Sequence, residues 1–182
     1  MTNHFLSFLL SLAVTTTAFS QKYFTRTGTI SFYSKAPMEN IESVNKQATC
    51  IVDFATNYVA FTVLMKGFQF EKALMQEHFN ENYVESDKYP KATFKGKITE
   101  KIDLTKEGTY DVNVSGTMNI HGVDNKLQTK GKITVKKGSI VLQAEFNILL
   151  KDYKIEIPTV VKDKIASTVK ITVNADCPPF KK

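Results

Sequence analysis

The stretch from Tyr110 to Val135, YDVNVSGTMNIHGVDNKLQTKGKITV, limits the possible folds more than any other. Tyr110, Val112, Val114, Met118 and Ile120 alternate with Asp111, Asn113, Ser115, Thr117 and Asn119. A period of two marks a strand with one face buried and one wet. After HGVDNK the alternation resumes, with Leu127, Ile133 and Val135 on one face and Gln128, Lys130, Lys132 and Lys136 on the other. Two long strands around a Gly/Asp/Asn turn over residues 121–126 read as an antiparallel hairpin. Gly116 and Gly131 fall in the apolar phase, where a solid core would carry Leu or Ile. The pattern therefore predicts room on the inner face.

The same period runs through the rest of the chain. Phe24 to Tyr33 is the first strand, with Ile30 and Phe32 inside. Val44 to Phe54 is the second, with Ala48, Cys50, Val52 and Phe54 in one phase. Tyr58 to Lys66 is the third, its inner face assigned to Val59, Phe61, Val63 and Met65. Glu71 to Phe79 breaks the pattern with good helix formers and reads as a short helix, Phe70, Leu74 and His78 sharing a stripe. Lys91–Ile98, the opening hairpin, Ser139–Leu150 and Ile165–Ala175 supply strands four to eight.

Eight strands in up-and-down order place the loops at 34–43, 67–90, 121–126 and 151–164 at one end and the short turns at the other. The expectation is an all-β, eight-stranded antiparallel barrel, nearly closed below, with the helix at its open mouth. A barrel of this size either fills with side chains or holds one small ligand. Ala48, Ala92, Gly96, Gly116, Gly131 and Ala144 on the inner faces favour a cavity, and the remaining lining is aliphatic and aromatic, which suits an apolar ligand.

The chain of 182 residues is long enough for one such domain after a leader. Phe5–Val14 is a short apolar run followed by Ala18-Phe19-Ser20, which reads as a secretory signal peptide over residues 1–20, cut before Gln21. The expected localisation is periplasmic or secreted. Cys50 and Cys177 both lie in apolar phases, leaving a disulfide and a pair of buried thiols as alternatives. The formal charge of +6 is carried almost wholly by lysine, Arg26 being the sole arginine. Lysines spread over wet strand faces do not make a nucleic-acid reader, which leans on arginine; they leave room for transient contact with an anionic membrane surface.

The segments HFNENYVESDKYPKATFKG (His78–Gly96), GTMNIHGVDNKL (Gly116–Leu127) and LKDYKIEIPTVVKDKIASTVKITV (Leu150–Val173) resemble the YceI-like family of exported bacterial lipid-binding proteins, in a Bacteroidetes-type variant. The resemblance covers nearly all of the chain after the leader. It implies a lipocalin-like barrel with a small helix at the mouth and a polyisoprenoid or other long-chain amphiphile inside. The chain departs from the family pattern at the first strand, where Tyr33 and Ser34 stand near a position that often carries His.

The expected ligand contacts are Phe61, Phe94, Ile120, Phe146 and Ile148 from the barrel, and Phe70, Leu74 and Phe79 from the helix region. His121, matching the family's His-Gly pair, is placed at the mouth as a headgroup contact or as a turn residue bonded to loop backbone. Nothing in the sequence has the spacing of a metal site, a nucleophile with its base or a phosphate loop. The expected function is non-enzymatic carriage of an apolar chain, without a cofactor. The alternatives are a solid barrel that acts through its surface and an enzyme acting on the bound lipid.

Overall fold

The computed structural model describes residues 21–181. The expected signal peptide lies outside the described residues.

The strands are β1 (Lys22–Lys35), β2 (Asn40–Asp53), β3 (Tyr58–Leu64), β4 (Gln69–Phe70), β5 (Lys91–Ile98), β6 (Gly108–Ile120), β7 (Val123–Lys136), β8 (Ser139–Leu149) and β9 (Thr168–Cys177). They run antiparallel in the order β1-β9-β8-β7-β6-β5-β3-β2, and β1 pairs with β2 to close the wall. Eight strands make the barrel. β4 is a two-residue return of the β3 segment to β2, where Ser43 faces Phe70 and Val44 faces Gln69.

Between β3 and β4 the chain leaves the sheet in a 3₁₀ turn, Met65–Gly67. The buried Asn45 side chain covers the gap: its amide donates to the Leu64 carbonyl at 2.9 Å, and its Oδ1 accepts from the Gln47 N–H at 2.8 Å. Gly67 lies flat on that amide, and a Cβ there would stand 2.5 Å from Asn45 Nδ2. A buried amide left unpaired is costly, so the break in the ladder is fully specified by these two residues.

Two expectations are corrected at the ends of elements. The turn predicted over 121–126 is only His121 and Gly122, and β7 begins at Val123 with Ile120 opposite it. His121 (φ 53°) and Gly122 (φ 73°) both take positive φ, as a two-residue type I′ hairpin turn requires. Asp124, Asn125 and Lys126 look like loop residues but are strand residues on a wet edge. The helix predicted from Glu71 is the shorter α1 (Ala73–His78), which continues into one wide π turn over Phe79–Tyr83. Phe70 falls outside it, in β4. Propensity favoured Glu71 and Lys72, but the sheet claims the residues just before them.

The interior divides in two. Towards the closed end Cys50, Val52, Val59, Ile98, Val112, Ile133, Val135, Ile140, Leu142 and Cys177 are packed solid. Ile102 and Leu104, from the connection between β5 and β6, pack against that end. Cys50 and Cys177 are free thiols in the same packed cluster, and both are fully buried. Towards the other end Ile30, Val63, Met65, Phe68, Val84, Met118, Ile120, Ile148, Ile155 and Val169 form a second cluster with the helix region.

Candidate functional site

The upper cluster surrounds a cavity of about 520 Å³. Its floor is Val59, Ile98, Val112, Ile133 and Leu142. Its wall comes from the inner phase of the strands, including Phe61, Ala92, Phe94, Met118, Leu127, Phe146, Ile171 and Val173. Its roof is Phe68, Phe70, Leu74, Met75, Phe79, Tyr83 and Val84. The lining is overwhelmingly hydrocarbon, so an occupant gains by leaving water and finds almost no directional partner.

The roof is held by aromatic packing. Phe79 stacks on Phe32 (5.5 Å between centroids) and meets Phe70 (5.0 Å) and Phe68 (5.7 Å). Phe32 also touches Phe68 and Phe70. β1, β4 and the helix region thus share one four-ring cluster, each offset or edge contact adding about 0.5–1.5 kcal/mol beyond area burial. The outer side of the helix is wet: Leu74 is 61 % exposed while still bordering the cavity.

Eight of the nine sequence-derived candidates border the cavity: Phe61, Phe70, Leu74, Phe79, Phe94, Ile120, Phe146 and Ile148. His121 does not. Its ring lies beside the roof, with Nδ1 3.1 Å from the Tyr153 carbonyl and Nε2 2.7 Å from a Glu85 carboxylate oxygen. Tyr89 packs edge-on against it at 4.6 Å. The carbonyl and the carboxylate are both acceptors, so the two contacts are complete only when each ring nitrogen donates. His121 therefore ties three segments together: the β6–β7 turn, the segment after the helix, and the 3₁₀ turn at Leu150–Tyr153. The turn-histidine alternative describes its contacts.

Phe68 belongs to the aromatic group around the helix that the sequence marks as a lid over the chain, whereas the sequence does not single out Phe32 as a site residue. Phe32 was visible in the inner phase of the first strand, but nothing local shows that β4 and the helix region would come to rest on it.

The glycines divide as well. Gly96 and Gly116 are directly paired across β5 and β6. They do not open the cavity, because the Phe94 ring lies across both: its Cζ would stand 2.6 Å from a Cβ at Gly96 and 2.7 Å from one at Gly116. Gly131, paired with Ala144, does border the cavity.

Comparison with known proteins places this barrel among solved structures. A polyisoprenoid-binding domain from Saccharophagus degradans, implicated in plant cell wall breakdown, superposes with a TM-score of 0.75 at 16% identity, over 88% of this chain and 99% of that one. BcnA from Burkholderia cenocepacia gives 0.68 at 16%, over 82% and 95%. The Campylobacter jejuni YCEI protein gives 0.59 at 17%, over the whole of both chains. At these identities the likeness is one of fold. No curated protein matches the sequence. A family model described as the YceI-like domain matches residues 7–177.

Proposed function

Because this chain belongs to the YceI-like family, we propose that it is a non-enzymatic binding protein that holds one long apolar chain, of a polyisoprenoid, isoprenoid quinone or fatty-acid-like amphiphile, inside its barrel. The observation that carries the reading is the hydrocarbon-lined cavity of about 520 Å³ beneath the aromatic roof. A solid barrel acting through its surface would need that volume filled. The likeness to a solved polyisoprenoid-binding domain supports the class of ligand.

The energetics favour a chain over a compact molecule. Each methylene taken out of water contributes about 0.8 kcal/mol. Roughly five to twenty of them offset an association cost in the range of about 4–15 kcal/mol. With so few polar groups on the wall, selectivity follows the length and shape of the chain. Carriage or storage in an exported compartment completes the proposal, supported by the leader-like residues 1–20.

The test is to extract the purified protein with organic solvent, identify what is released by mass spectrometry, and titrate the stripped protein with isoprenoids and fatty acids. Stoichiometric recovery of an amphiphile, or saturable uptake of one, is expected. An empty extract together with no uptake would overturn the reading. N-terminal sequencing of the protein from fractionated cells tests the export, with Gln21 expected as the first residue.

A further inference from the structure

The wall of the barrel is split on one side. β7 pairs with β8 from Lys136–Ser139 up to Gly131–Ala144, and the ladder ends there. Each strand keeps its other neighbour beyond that point: β6 and β7 pair up to Ile120–Val123, and β8 and β9 pair up to Leu149–Thr168. Residues 123–130 of β7 and 145–149 of β8 therefore part from one another, over roughly 17 Å of strand. The gap is bridged near the mouth, where the Asn125 amide donates to the Asp152 carbonyl at 2.6 Å.

The cavity reaches this gap. Leu127 and Thr129 on one edge and Phe146 on the other line it and are half-buried. Lys132 and Gln143 are a directly paired, outward-facing couple just below the fork, yet they too border the cavity. Residues from the outer face of a barrel border its interior only where the wall is open. Gly131 and Ala144, paired at the fork, carry no side chain large enough to close it.

The chemistry of the gap is unlike that of the roof. On the side facing the gap, the backbone groups of its two edges lie outside any ladder and must be met by water or by a polar ligand group. The outward row of β7 beside it carries Lys126, Lys130 and Lys132. Lys126 donates to Thr117 Oγ1, and among the described residues neither Lys130 nor Lys132 has an ion-pair partner. The facing carboxylate on β8, Glu145, is turned to Lys170 at 3.3 Å. Asp111 on β6 stands directly opposite Lys132 without an ion pair to it among the described residues, so three lysines face two carboxylates and the net local charge is positive.

We propose that the gap between β7 and β8 is a side slot of the binding site, in which the anionic head of the ligand, a phosphate or carboxylate, stays in water against Lys130 and Lys132 while its chain fills the cavity. This rests on the cavity being a chain-binding site, and it adds the class of head and the place where that head leaves the barrel. Ammonium groups on the rim suit such an anion because they make charge-assisted hydrogen bonds without being buried.

Farnesol and farnesyl diphosphate carry the same chain and differ only in the head. The experiment measures the binding of both to the full mature chain at low salt, in the wild type, in the double variant Lys130→Glu/Lys132→Glu, and in Lys164→Glu at the mouth. The double variant is expected to weaken farnesyl diphosphate five- to tenfold and to leave farnesol within twofold. The Lys164→Glu variant is expected to leave their ratio unchanged, and inorganic diphosphate alone is expected not to compete. Equal effects on both probes or a loss confined to Lys164→Glu would each overturn the slot while leaving the cavity reading intact, and competition by inorganic diphosphate at matched concentration would show the head alone carrying the binding and overturn both. Failure of the wild type to bind either probe would overturn both.

Discussion

At the scale of single residues, the glycines behave as two kinds. Gly116 lies under the Phe94 ring with the β5 backbone against it, so a side chain there means overpacking, which costs about 1–3 kcal/mol. Gly116→Ala is expected to lower the urea midpoint by an amount in that range. Ala144→Val, which adds methyl groups beside open space, is expected to cost less and to reduce the uptake of apolar chains. Equal losses of stability would contradict the distinction. The sequence showed that these positions lacked side chains. It could not show that a neighbouring ring would claim the space at two of the glycines, because that depends on the direction Phe94 takes across the β5–β6 register. The cysteines are a further case. Contact with Cys177, followed by burial, holds the Cys50 thiol far above its ordinary range. Both thiols are expected to resist iodoacetamide at about pH 8.5, where free cysteine reacts, and to react fully once unfolded in guanidinium. Labelling of the folded protein at the unfolded rate would show that the lower core is looser than described.

At the scale of elements, the roof is a set of short pieces held by a few contacts. Phe79 joins β1, β4 and the helix region through three rings. Phe79→Ala is expected to cost about 2–4 kcal/mol, somewhat below the range of about 3–5 kcal/mol for loss of a fully packed phenylalanine, because the site is only partly buried. It is also expected to speed the release of a bound chain in stopped-flow. Unchanged stability and release would remove the cluster from the account. The second tie runs through Tyr153, buried in the 3₁₀ turn whose carbonyl receives His121. Burial, with the nearby Asp152 charge, pushes its phenol up to about 12. The folded value lies above the unfolded value near 10, so its contribution to stability is complete below about pH 10 and is lost as the pH rises through about 12. Denaturation midpoints followed across that window should fall for the wild type and fall less for Tyr153→Phe. The elements themselves were legible: β5 and the starts of β3 and β8 agree with the periodicity. What was not legible was the two-residue turn at His121, because Asp124, Asn125 and Lys126 have loop character and only the pairing of Ile120 with Val123 shows that they are strand.

At the scale of the whole molecule, a single gradient organises the barrel. Fully buried aliphatics and two thiols fill the closed end, the cavity occupies the middle, and an aromatic roof covers the top. The closed eight-stranded barrel and the helix beside His121 could be read from alternation and loop lengths alone, since consecutive hairpins leave few other arrangements. The split between β7 and β8 could not. Both strands alternate cleanly along their whole length, and nothing in one strand's pattern says where its partner departs. That the hollow space takes an apolar chain is the claim on which everything else depends. It is tested most directly by native mass spectrometry of the gently purified protein, followed by the same measurement after organic extraction and reloading with a single polyisoprenoid. One bound molecule per chain is expected before extraction, none after, and one again on reloading, with Ala144→Phe or Phe146→Trp reducing the reloaded fraction. A protein that flies empty from the cell and stays empty in excess polyisoprenoid and excess fatty acid would contradict it.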